Sequence, residues 1–344
     1  MRFTSINLVG IGTEVGKLVS VRHAIETGQY EPAEAEKSAQ LSTSVADLPG
    51  PRLAVRAGHK ALTQAEKQLG APLAPTCSLH AGIYYPGIDF WHAASFVRHQ
   101  LGLPAGPGLN AELGAMSNSV VAGMDLAASL LAGRPDHNAV LITAGDRFGG
   151  PGFPHWNTDL GIVYGDAGSA VVLSREPGFA RILSIASYTD PSLEGLQRGD
   201  EPFRMASVAA HEPLDIRRRK AEWFTSQDRS TVLSRNAAGV CEVVKTALVE
   251  AELDLPDLAK VCAPHYGRRL VDTQILRPMG IAEDQTMFAL GRRVGHLGAS
   301  DQVVALDFLL RNRTVGPGDH VLLLGIGVGM TWTAVVLEIT GDLR

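Results

Sequence analysis

The sequence contains no apolar run of membrane-spanning length, no signal-peptide pattern and no closely spaced pair of cysteines. Its N-terminus, MRFTSINLVGIG, lacks a basic region followed by a long apolar one, so we expect neither a membrane span nor a signal peptide. The cysteines are Cys77, Cys241 and Cys262, and they form no CxxC motif. This spacing argues against a disulfide framework or a metal site and fits a reducing cytoplasm.

The chain also has no excess of positive charge, and its formal net charge is −5. Nucleic acid is therefore not an expected partner. Charged residues make up 19% of the chain and hydrophobic residues 45%, which is ordinary for a globular protein and predicts no large disordered region. The length of 344 residues fits two domains or one large duplicated domain.

What is present is an alternation of strand-like apolar runs with stretches of helical periodicity, the pattern of an α/β protein. Strands are predicted at residues 6–12, 75–80, 139–146 and 260–266, with strand pairs around glycine turns within 159–178 and 320–339. Helices are predicted at 51–69, from Ser117 onward, at 231–251 and after residue 301.

The order of these elements is loosely repeated, which predicts two similar α/β halves. We place the halves at residues 1–176 and 177–344. The segment 187–235 does not fit the repeat, and we predict that it is an insertion with polar loops and at least one helix.

Ser117 stands where a tight turn runs into an apolar helix, in LGAMSNSVVAGMDLA. Backbone N–H groups at a helix start stabilise an oxyanion. The helix dipole contributes at most about 2 kcal/mol, which can activate a cysteine but cannot ionise a serine hydroxyl. A serine nucleophile therefore needs a hydrogen-bonded base and a group that orients the base. The alternative is that Ser117 is only the N-cap of the helix.

Candidate bases occur near the end of the chain. His296 lies in GHLGASD, where the flanking glycines let the backbone bend around the imidazole. Asp301 lies in the first turn of the next helix, from which it could reach an imidazole N–H, although helix-start chemistry explains it equally well. His265 ends an apolar strand, a common place for a site residue in open α/β sheets, but it could also be a satisfied core histidine.

The glycine-rich stretch GIGVGMTW, residues 325–332, follows a buried strand and brings backbone N–H groups close to their surroundings. A phosphate-binding loop is not indicated, because no Lys-Ser/Thr pair is present. We expect either a close-packed turn or an oxyanion contact from Gly327, Val328 and Gly329.

A basic run, Arg217 to Lys220, lies beside Trp223 in the predicted insertion. Such a run is usually a solvated helix face, and the alternative is contact with the phosphates of a nucleotide-like carrier or with an acidic partner. The substrate-binding candidates are Arg217, Arg218, Trp223 and Trp156. Core packing explains Trp156 equally well.

Together these features resemble the ketoacyl synthase III group of the thiolase superfamily over nearly the whole chain. The resemblance rests on LNAELGAMSNSVVAGMDLA, GDAGSAVVL, the strand end at His265, the glycine-flanked loop 295–298 and GIGVGMTW. It implies a thiolase-like, duplicated five-layer αβαβα fold and a homodimer. It also implies transfer of an acyl group from acyl-coenzyme A, as substrate rather than cofactor, to a cysteine, and condensation with a malonyl thioester.

Two positions depart from the pattern of that group. Ser117 stands where the group has its cysteine, and His296 where it has an asparagine, whereas His265 matches the group's histidine. The two changes are consistent with each other, because a serine nucleophile needs a base that a cysteine does not, and His296 can supply it. This variant resembles the priming ketosynthases of daunorubicin-type aromatic polyketide pathways and related acyltransferases, which implies a short acyl group, with propionyl favoured.

We therefore predict a starter-unit acyl transfer in which His296, oriented by Asp301, removes the proton of Ser117. The backbone N–H groups of Ser117 and of the 327–329 loop would hold the oxyanion. The acyl group then condenses with malonyl-acyl carrier protein, with His265 and His296 steadying the enolate. Alternatively, it passes to a hydroxyl or a carrier thiol without condensation. A non-catalytic partner subunit of a larger synthase is the third hypothesis.

Overall fold

The computed structural model describes residues 1–3, 5–150, 152–203 and 213–344. The strands are β1 (Asn7–Val15), β2 (Lys17–Ser20), β3 (Ser42–Val45), β4 (Cys77–Ala81), β5 (Asn110–Leu113), β6 (Ala139–Asp146), β7 (Ala167–Ser174), β8 (Ala180–Thr189), β9 (Leu258–Cys262), β10 (His320–Gly327) and β11 (Thr331–Ile339). The α-helices are α1 (Val21–Glu26), α2 (Pro32–Ser38), α3 (Gly50–Leu69), α4 (Ala93–Gln100), α5 (Ser119–Gly133), α6 (Gly195–Arg198), α7 (Ile216–Trp223), α8 (Arg229–Ala251), α9 (Arg268–Val271), α10 (Arg277–Met279), α11 (Phe288–Val294) and α12 (Asp301–Arg311). Within those residues, no helix has the length and apolar character that a membrane crossing requires.

In the described part of the chain, nine strands form one mixed sheet in the order β5-β4-β6-β7-β1-β8-β11-β10-β9. The sheet has two parts, which join where Asn7 and Leu8 of β1 pair with Arg181 and Ala180 of β8. Helices α5 and α12 lie between the two parts and contact strands of both. Helix α3 covers the outer face of the first part and α8 that of the second. The predicted five-layer αβαβα order is therefore confirmed.

The position of each helix follows from its pattern of apolar residues. Helix α5 buries Val120, Val121, Met124 and Ala127, so it is apolar on most sides and suits a layer between two sheets. Helix α3 is amphipathic instead: one face is buried against the sheet, and lysines lie on the other face. A helix with one apolar stripe is stable only as an outer layer.

The two halves repeat one topology. In chain order, β1, α3, β4, α5, β6 and β7 correspond to β8, α8, β9, α12, β10 and β11. Strand β4 is parallel to β6 as β9 is to β10, and both β6–β7 and β10–β11 are antiparallel. This correspondence supports two α/β halves that meet between β7 and β8, and their division into 1–176 and 177–344 stays a prediction.

The strand pair predicted within residues 159–178 is wrong, because the structure has a single strand there, β7. Two residues before it bond to other loops instead of to a neighbouring strand. The Tyr164 N–H donates to the His155 carbonyl at 2.9 Å, and the Gly165 N–H donates to the His296 carbonyl at 2.9 Å. This segment therefore lies against the loop that carries His296.

The strand predicted at 260–266 ends earlier, at Cys262. Pro264 has no N–H for a strand partner, and the His265 N–H donates to the Asp301 carboxylate at 2.8 Å. His265 therefore lies beyond the end of the strand, where the Tyr266 N–H donates to the Pro264 carbonyl at 2.9 Å.

The predicted insertion 187–235 is too wide at both ends. Ser187 belongs to β8 and pairs with Thr333 of β11. At the other end, α8 begins after Asp228, whose carboxylate caps the helix by accepting the Thr231 N–H at 2.8 Å. Helices α6 and α7 lie between these points, and residues 204–212 of the predicted insertion lie outside the described residues.

Candidate active site

A short 3-10 turn, Met116–Asn118, precedes α5 and carries Ser117. The Ser119 hydroxyl holds this turn: it accepts the Ala115 N–H at 2.9 Å and donates to the Met116 carbonyl at 2.6 Å. Helix α5 therefore begins two residues later than predicted, and Ser117 is not its N-cap. The N-cap alternative is wrong, and the Ser117 side chain is available for another contact.

That contact is with His296. The Ser117 Oγ lies 2.8 Å from the His296 Nε2, and the His296 Nδ1 lies 2.5 Å from the Asp301 Oδ2. All three side chains are buried, with Ser117 8% exposed, His296 2% and Asp301 0%. The fold thus brings together the three predicted residues, from two different halves, in the order of a serine–histidine–acid relay.

The loop around His296 is fixed by its flanking glycines. Gly295 has φ +79° and Gly298 has φ +62°, a left-handed conformation that favours glycine. A Cβ added to Gly298 would lie 2.3 Å from the Asp146 Oδ2, so a side chain has no room there. The His296 N–H also donates to the Val163 carbonyl at 2.8 Å. The ring is therefore oriented from both its backbone and its Nδ1 side.

Asp301 is surrounded by donors. It accepts the N–H groups of Leu297 at 2.7 Å and His265 at 2.8 Å, and the ring nitrogens of both histidines face it. Burial raises the pKa of this carboxyl, but the charges and hydrogen bonds of His265 and His296 lower it more, so the pKa lies well below its usual value. Asp301 is therefore ionised at neutral pH.

His265 lies beside the relay. Its Nδ1 is 3.1 Å from the Asp301 Oδ1 and 3.3 Å from the Gly295 carbonyl oxygen. Its Nε2 is buried and has no hydrogen-bond partner among the described residues. One carboxylate thus holds both histidines through their Nδ1 atoms.

Aromatic rings enclose His296. The rings of Tyr164 and Tyr266 lie 5.3 Å and 5.4 Å from its ring, and both tyrosines belong to an apolar cluster with Phe148 and Phe153. These side chains keep water away from the histidine. Electrostatic interactions are stronger in such surroundings than in water.

The predicted oxyanion loop packs against the turn that carries Ser117. Gly327 is the last residue of β10, and a Cβ there would lie 2.2 Å from the Ala115 carbonyl oxygen. Val328 and Gly329 follow in the turn to β11. The N–H of Ser117, at the start of a helical turn, is one of the groups without an intrahelical acceptor. The loop that was predicted to supply oxyanion donors therefore lies against the turn that carries Ser117.

Two buried aspartates near the site were missed by the sequence reasoning. Asp146 ends β6 and accepts the N–H groups of Ile83 at 2.7 Å, Tyr84 at 3.2 Å and Ala299 at 3.3 Å. Burial raises its pKa to about 6. It ties the end of β6 to the turn before α12, and the signal was its place directly after an apolar strand, in AVLITAGD.

The second aspartate, Asp166, precedes β7. It accepts the N–H groups of Ala46 at 2.8 Å and Phe148 at 2.7 Å, and burial raises its pKa to about 7. It fixes the loop that presents the aromatic cluster. The glycine-flanked acid in YGDAGS was the available signal.

The two tryptophans predicted to bind substrate lie in other parts of the core. Trp156 is 3% exposed and packs against Tyr30, with ring centres 5.3 Å apart. Trp223 is 8% exposed and belongs to the outer cluster under α8. The structure does not bring either of them to Ser117, and core packing accounts for both.

The basic run of α7 is engaged in contacts within the chain. Arg217 donates to the Asp159 carbonyl at 3.1 Å, and Lys220 pairs with the Asp159 carboxylate at 2.6 Å. Arg218 is half exposed and pairs with Glu222 at 2.8 Å. These contacts anchor α7 to the loop before Tyr164, and the structure does not place Arg217 or Arg218 beside Ser117.

Among the residues that the structure describes, no three or more His, Cys, Asp and Glu side chains are grouped so as to hold a metal ion. The chemistry that the site offers is that of an acid–base pair and a hydroxyl. Such a site can form and break an acyl ester.

Comparison with known proteins agrees with the fold. Residues 248–339 match the family model described as 3-oxoacyl-(acyl-carrier-protein) synthase III C terminal. The beta-ketoacyl-(acyl-carrier-protein) synthase III of Synechocystis sp. is 27% identical over 298 residues, which cover 83% of this chain and 82% of the relative.

Two solved structures extend the comparison to the whole chain. The 3-oxoacyl-(acyl carrier protein) synthase III of Pseudomonas aeruginosa has a TM-score of 0.78 at 19% identity and covers 99% of this chain and 100% of its own, which shows the fold. ChlB3, described as an acyltransferase, has a TM-score of 0.90 at 32% identity and covers 99% of both chains. The fold is therefore the thiolase-like one that the sequence predicted. The chain belongs to the ketoacyl synthase III family of the thiolase superfamily.

Proposed function

We propose that this chain is an acyltransferase that takes a short acyl group from acyl-coenzyme A onto Ser117. The observation that carries the proposal is the continuous contact from the Ser117 Oγ through His296 to Asp301, at 2.8 Å and 2.5 Å. The ionised carboxylate keeps the hydrogen on Nδ1, so Nε2 is free to act as the base.

In the first half-reaction, His296 removes the hydroxyl proton as Ser117 attacks the thioester carbonyl. The backbone N–H of Ser117 and those of the Gly327, Val328 and Gly329 loop are the proposed donors to the oxyanion. When the intermediate collapses, the carbon–sulfur bond breaks and His296 gives its proton to the leaving coenzyme A sulfur. The products are acyl-Ser117 and free coenzyme A.

The acyl group that we propose is propionyl, delivered as a starter unit in aromatic polyketide biosynthesis. This part rests on the resemblance to daunorubicin-type priming ketosynthases and on the serine that replaces the usual cysteine at position 117. A second candidate is condensation of the acyl group with malonyl-acyl carrier protein, which the similarity to synthases of the family favours.

Incubation with propionyl-coenzyme A followed by intact-mass measurement tests the proposal. We expect one propionyl adduct on the wild-type chain and none on Ser117→Ala. Ser300→Ala is a matched control, because its buried hydroxyl contacts Ser169 rather than His296. An adduct that persists in Ser117→Ala would contradict the assignment. No adduct on the wild type, together with a co-purifying second chain, would favour the non-catalytic subunit.

We also propose a homodimer, as the family resemblance implies. Strand β5 is an edge of the sheet, and the nearby stretch 82–92 exposes Tyr85, Ile88 and Phe90. An unpaired edge strand beside exposed apolar side chains is suited to pairing with a second copy. Light scattering should give twice the mass of the chain, and Phe90→Glu should shift the protein toward monomer.

A further inference from the structure

Lys220, the last residue of the basic run in α7, is turned toward the interior. Its side chain is 18% exposed, and its ammonium group lies 2.6 Å from the Asp159 carboxylate, which is fully buried. The Arg218 side chain is 50% exposed and pairs with Glu222 on the same helix. A buried ion pair resists separation, because the loss of one partner leaves an uncompensated charge in a medium of low dielectric constant. The ammonium group is therefore held by Asp159.

Asp159 connects Lys220 to the proposed active site. Its Oδ1 accepts a hydrogen bond from Lys220, and its Oδ2 accepts one from the Tyr164 hydroxyl at 3.3 Å. The Tyr164 ring lies 5.3 Å from the His296 ring, and the His296 Nε2 lies 2.8 Å from the Ser117 Oγ. A chain of contacts thus runs from α7 to the proposed base and nucleophile.

The backbone and the hydroxyl of Tyr164 are held by different partners. The His296 N–H donates to the Val163 carbonyl at 2.8 Å, and the Gly165 N–H donates to the His296 carbonyl at 2.9 Å. These backbone bonds bring the tyrosine beside the imidazole, but they do not set the rotation of its ring. The far end of the ring is held by the hydrogen bond from the hydroxyl to Asp159. The ring position beside His296 therefore depends on that carboxylate.

We infer that Lys220 is a positioning residue for the proposed acyl transfer, and that it holds the Tyr164 ring against His296 through Asp159. This inference rests on the proposed acylation of Ser117. Without Lys220, the buried carboxylate has an uncompensated charge and turns toward water, which withdraws the acceptor from the tyrosine hydroxyl. The ring then no longer confines the imidazole. A small displacement of a catalytic group slows a reaction strongly, because the reacting atoms must be aligned.

The variant Lys220→Met tests the inference in the full chain. We expect the rate of adduct formation at saturating propionyl-coenzyme A to fall about 10- to 100-fold, with an unchanged half-saturating concentration. Lys60→Met is a matched control, because Lys60 also lies 2.6 Å from a carboxylate, that of Glu14, but on the outer helix α3. It should keep the wild-type rate. A raised half-saturating concentration with an unchanged rate at saturation would show that Lys220 binds the donor, and would overturn the inference.

A second substitution separates positioning from a general loss of structure. Lys220→Met combined with Asp159→Asn removes both buried charges, and the amide oxygen can still accept the Tyr164 hydroxyl. We expect this double variant to regain most of the wild-type rate. A helix that had only lost its packing would not be repaired by a second change. A double variant as slow as Lys220→Met alone would therefore contradict the inference.

The variant Tyr164→Phe tests the last contact of the chain. It keeps the ring and removes the hydroxyl, so it applies even where Lys220→Met is unstable. We expect acylation to slow about tenfold, the value of one hydrogen bond. A wild-type rate in Tyr164→Phe would overturn the inference while acylation of Ser117 stands. Failure of the wild-type chain to form any adduct would instead overturn the proposed function.

Discussion

The same position in the two halves of the molecule carries different chemistry. A 3-10 turn precedes each central helix, Met116–Asn118 before α5 and Gly298–Ser300 before α12. The first residue of α5 is Ser119, which bonds within its own turn. The first residue of α12 is Asp301, which reaches across to two histidines. In the duplicated fold, the turn before α5 therefore carries the Ser117 hydroxyl. The start of α12, which faces it, carries Asp301 and orients His296.

Two buried carboxylates near the turn before α12 show a second difference. Asp301 has two imidazoles to balance its charge, and its pKa is lowered although burial alone would raise it. Asp146 accepts backbone N–H groups, and burial raises its pKa to about 6. A buried carboxylate therefore stays ionised at low pH where cationic side chains or imidazoles surround it. Hydrogen bonds from backbone N–H groups alone do not lower its pKa enough to offset burial.

Removal of the base should have the largest effect on the acylation of Ser117. We expect His296→Ala to slow acylation of Ser117 by about 10⁴-fold or more, because the hydroxyl then has no base. With Ser117→Cys, the same removal should cost about tenfold, because a thiol at a helix N-terminus ionises far more readily. Adduct formation from propionyl-coenzyme A, followed by intact mass, measures both. Equal losses in the serine and cysteine backgrounds would contradict a base role for His296.

The next largest effect should come from the first residue of α12. We expect Asp301→Asn to slow acylation by about 10³- to 10⁴-fold, because the amide no longer fixes the tautomer of His296. Ser300→Ala, one residue earlier and equally buried, is the control and should change the rate less than about threefold. If the two variants acylate at similar rates, Asp301 has no part in orienting the base.

The pH dependence of stability should separate the two carboxylates. The raised pKa of Asp146, about 6 against a usual 3.8, means that the folded chain holds its proton more tightly than the unfolded chain. The contribution of Asp146 to the free energy of unfolding should therefore fall by about 3 kcal/mol as pH rises from about 4 to about 6. Asp301, with a lowered pKa, contributes stability that is complete above about pH 4 and is lost in more acidic solution.

Urea unfolding across this pH range measures the difference. Asp146→Asn should show a fall between pH about 4 and about 6 that is about 3 kcal/mol smaller than that of the wild type, because the amide has no proton to lose. The fall that remains is expected from Asp166, whose pKa is raised to about 7. Asp47→Asn, at an exposed position, should keep the wild-type slope. A fall that is unchanged in Asp146→Asn would show that another group, such as Asp166, is responsible.

Much of the site was predictable because its residues have local signatures. A serine at a helix start, a glycine-flanked histidine and an acid in the next helical turn are visible in LGAMSNS and GHLGASD. Their contact across 179 residues of sequence could not be derived from spacing, and it follows from the fold that the resemblance implied. The layers were predictable for the same reason, since α5 is apolar on most sides and α3 is not.

The errors arose where backbone groups bond to side chains or loops. β9 ends early because the His265 N–H donates to Asp301. The segment before β7 forms no strand because the N–H groups of Tyr164 and Gly165 donate to loop carbonyls. Apolar composition alone suggested strands in both places. The tryptophans were assigned by residue type, which does not distinguish a pocket wall from a core. These contacts join distant parts of the chain, so no local sequence pattern predicts them.

The smallest effect should come from the first residue of α5. Ser119→Ala removes the hydroxyl that accepts the Ala115 N–H at 2.9 Å and donates to the Met116 carbonyl at 2.6 Å. We expect a loss of about 1 kcal/mol in the free energy of unfolding, as for other helix-start hydroxyls. Ser230→Ala, at the exposed start of α8, should cost less than about 0.5 kcal/mol. Because Ser119 holds the turn without touching His296, acylation should slow far less than in Asp301→Asn. A loss of rate as large as that of Asp301→Asn would mean that both helix starts, and not α12 alone, set the geometry of the relay.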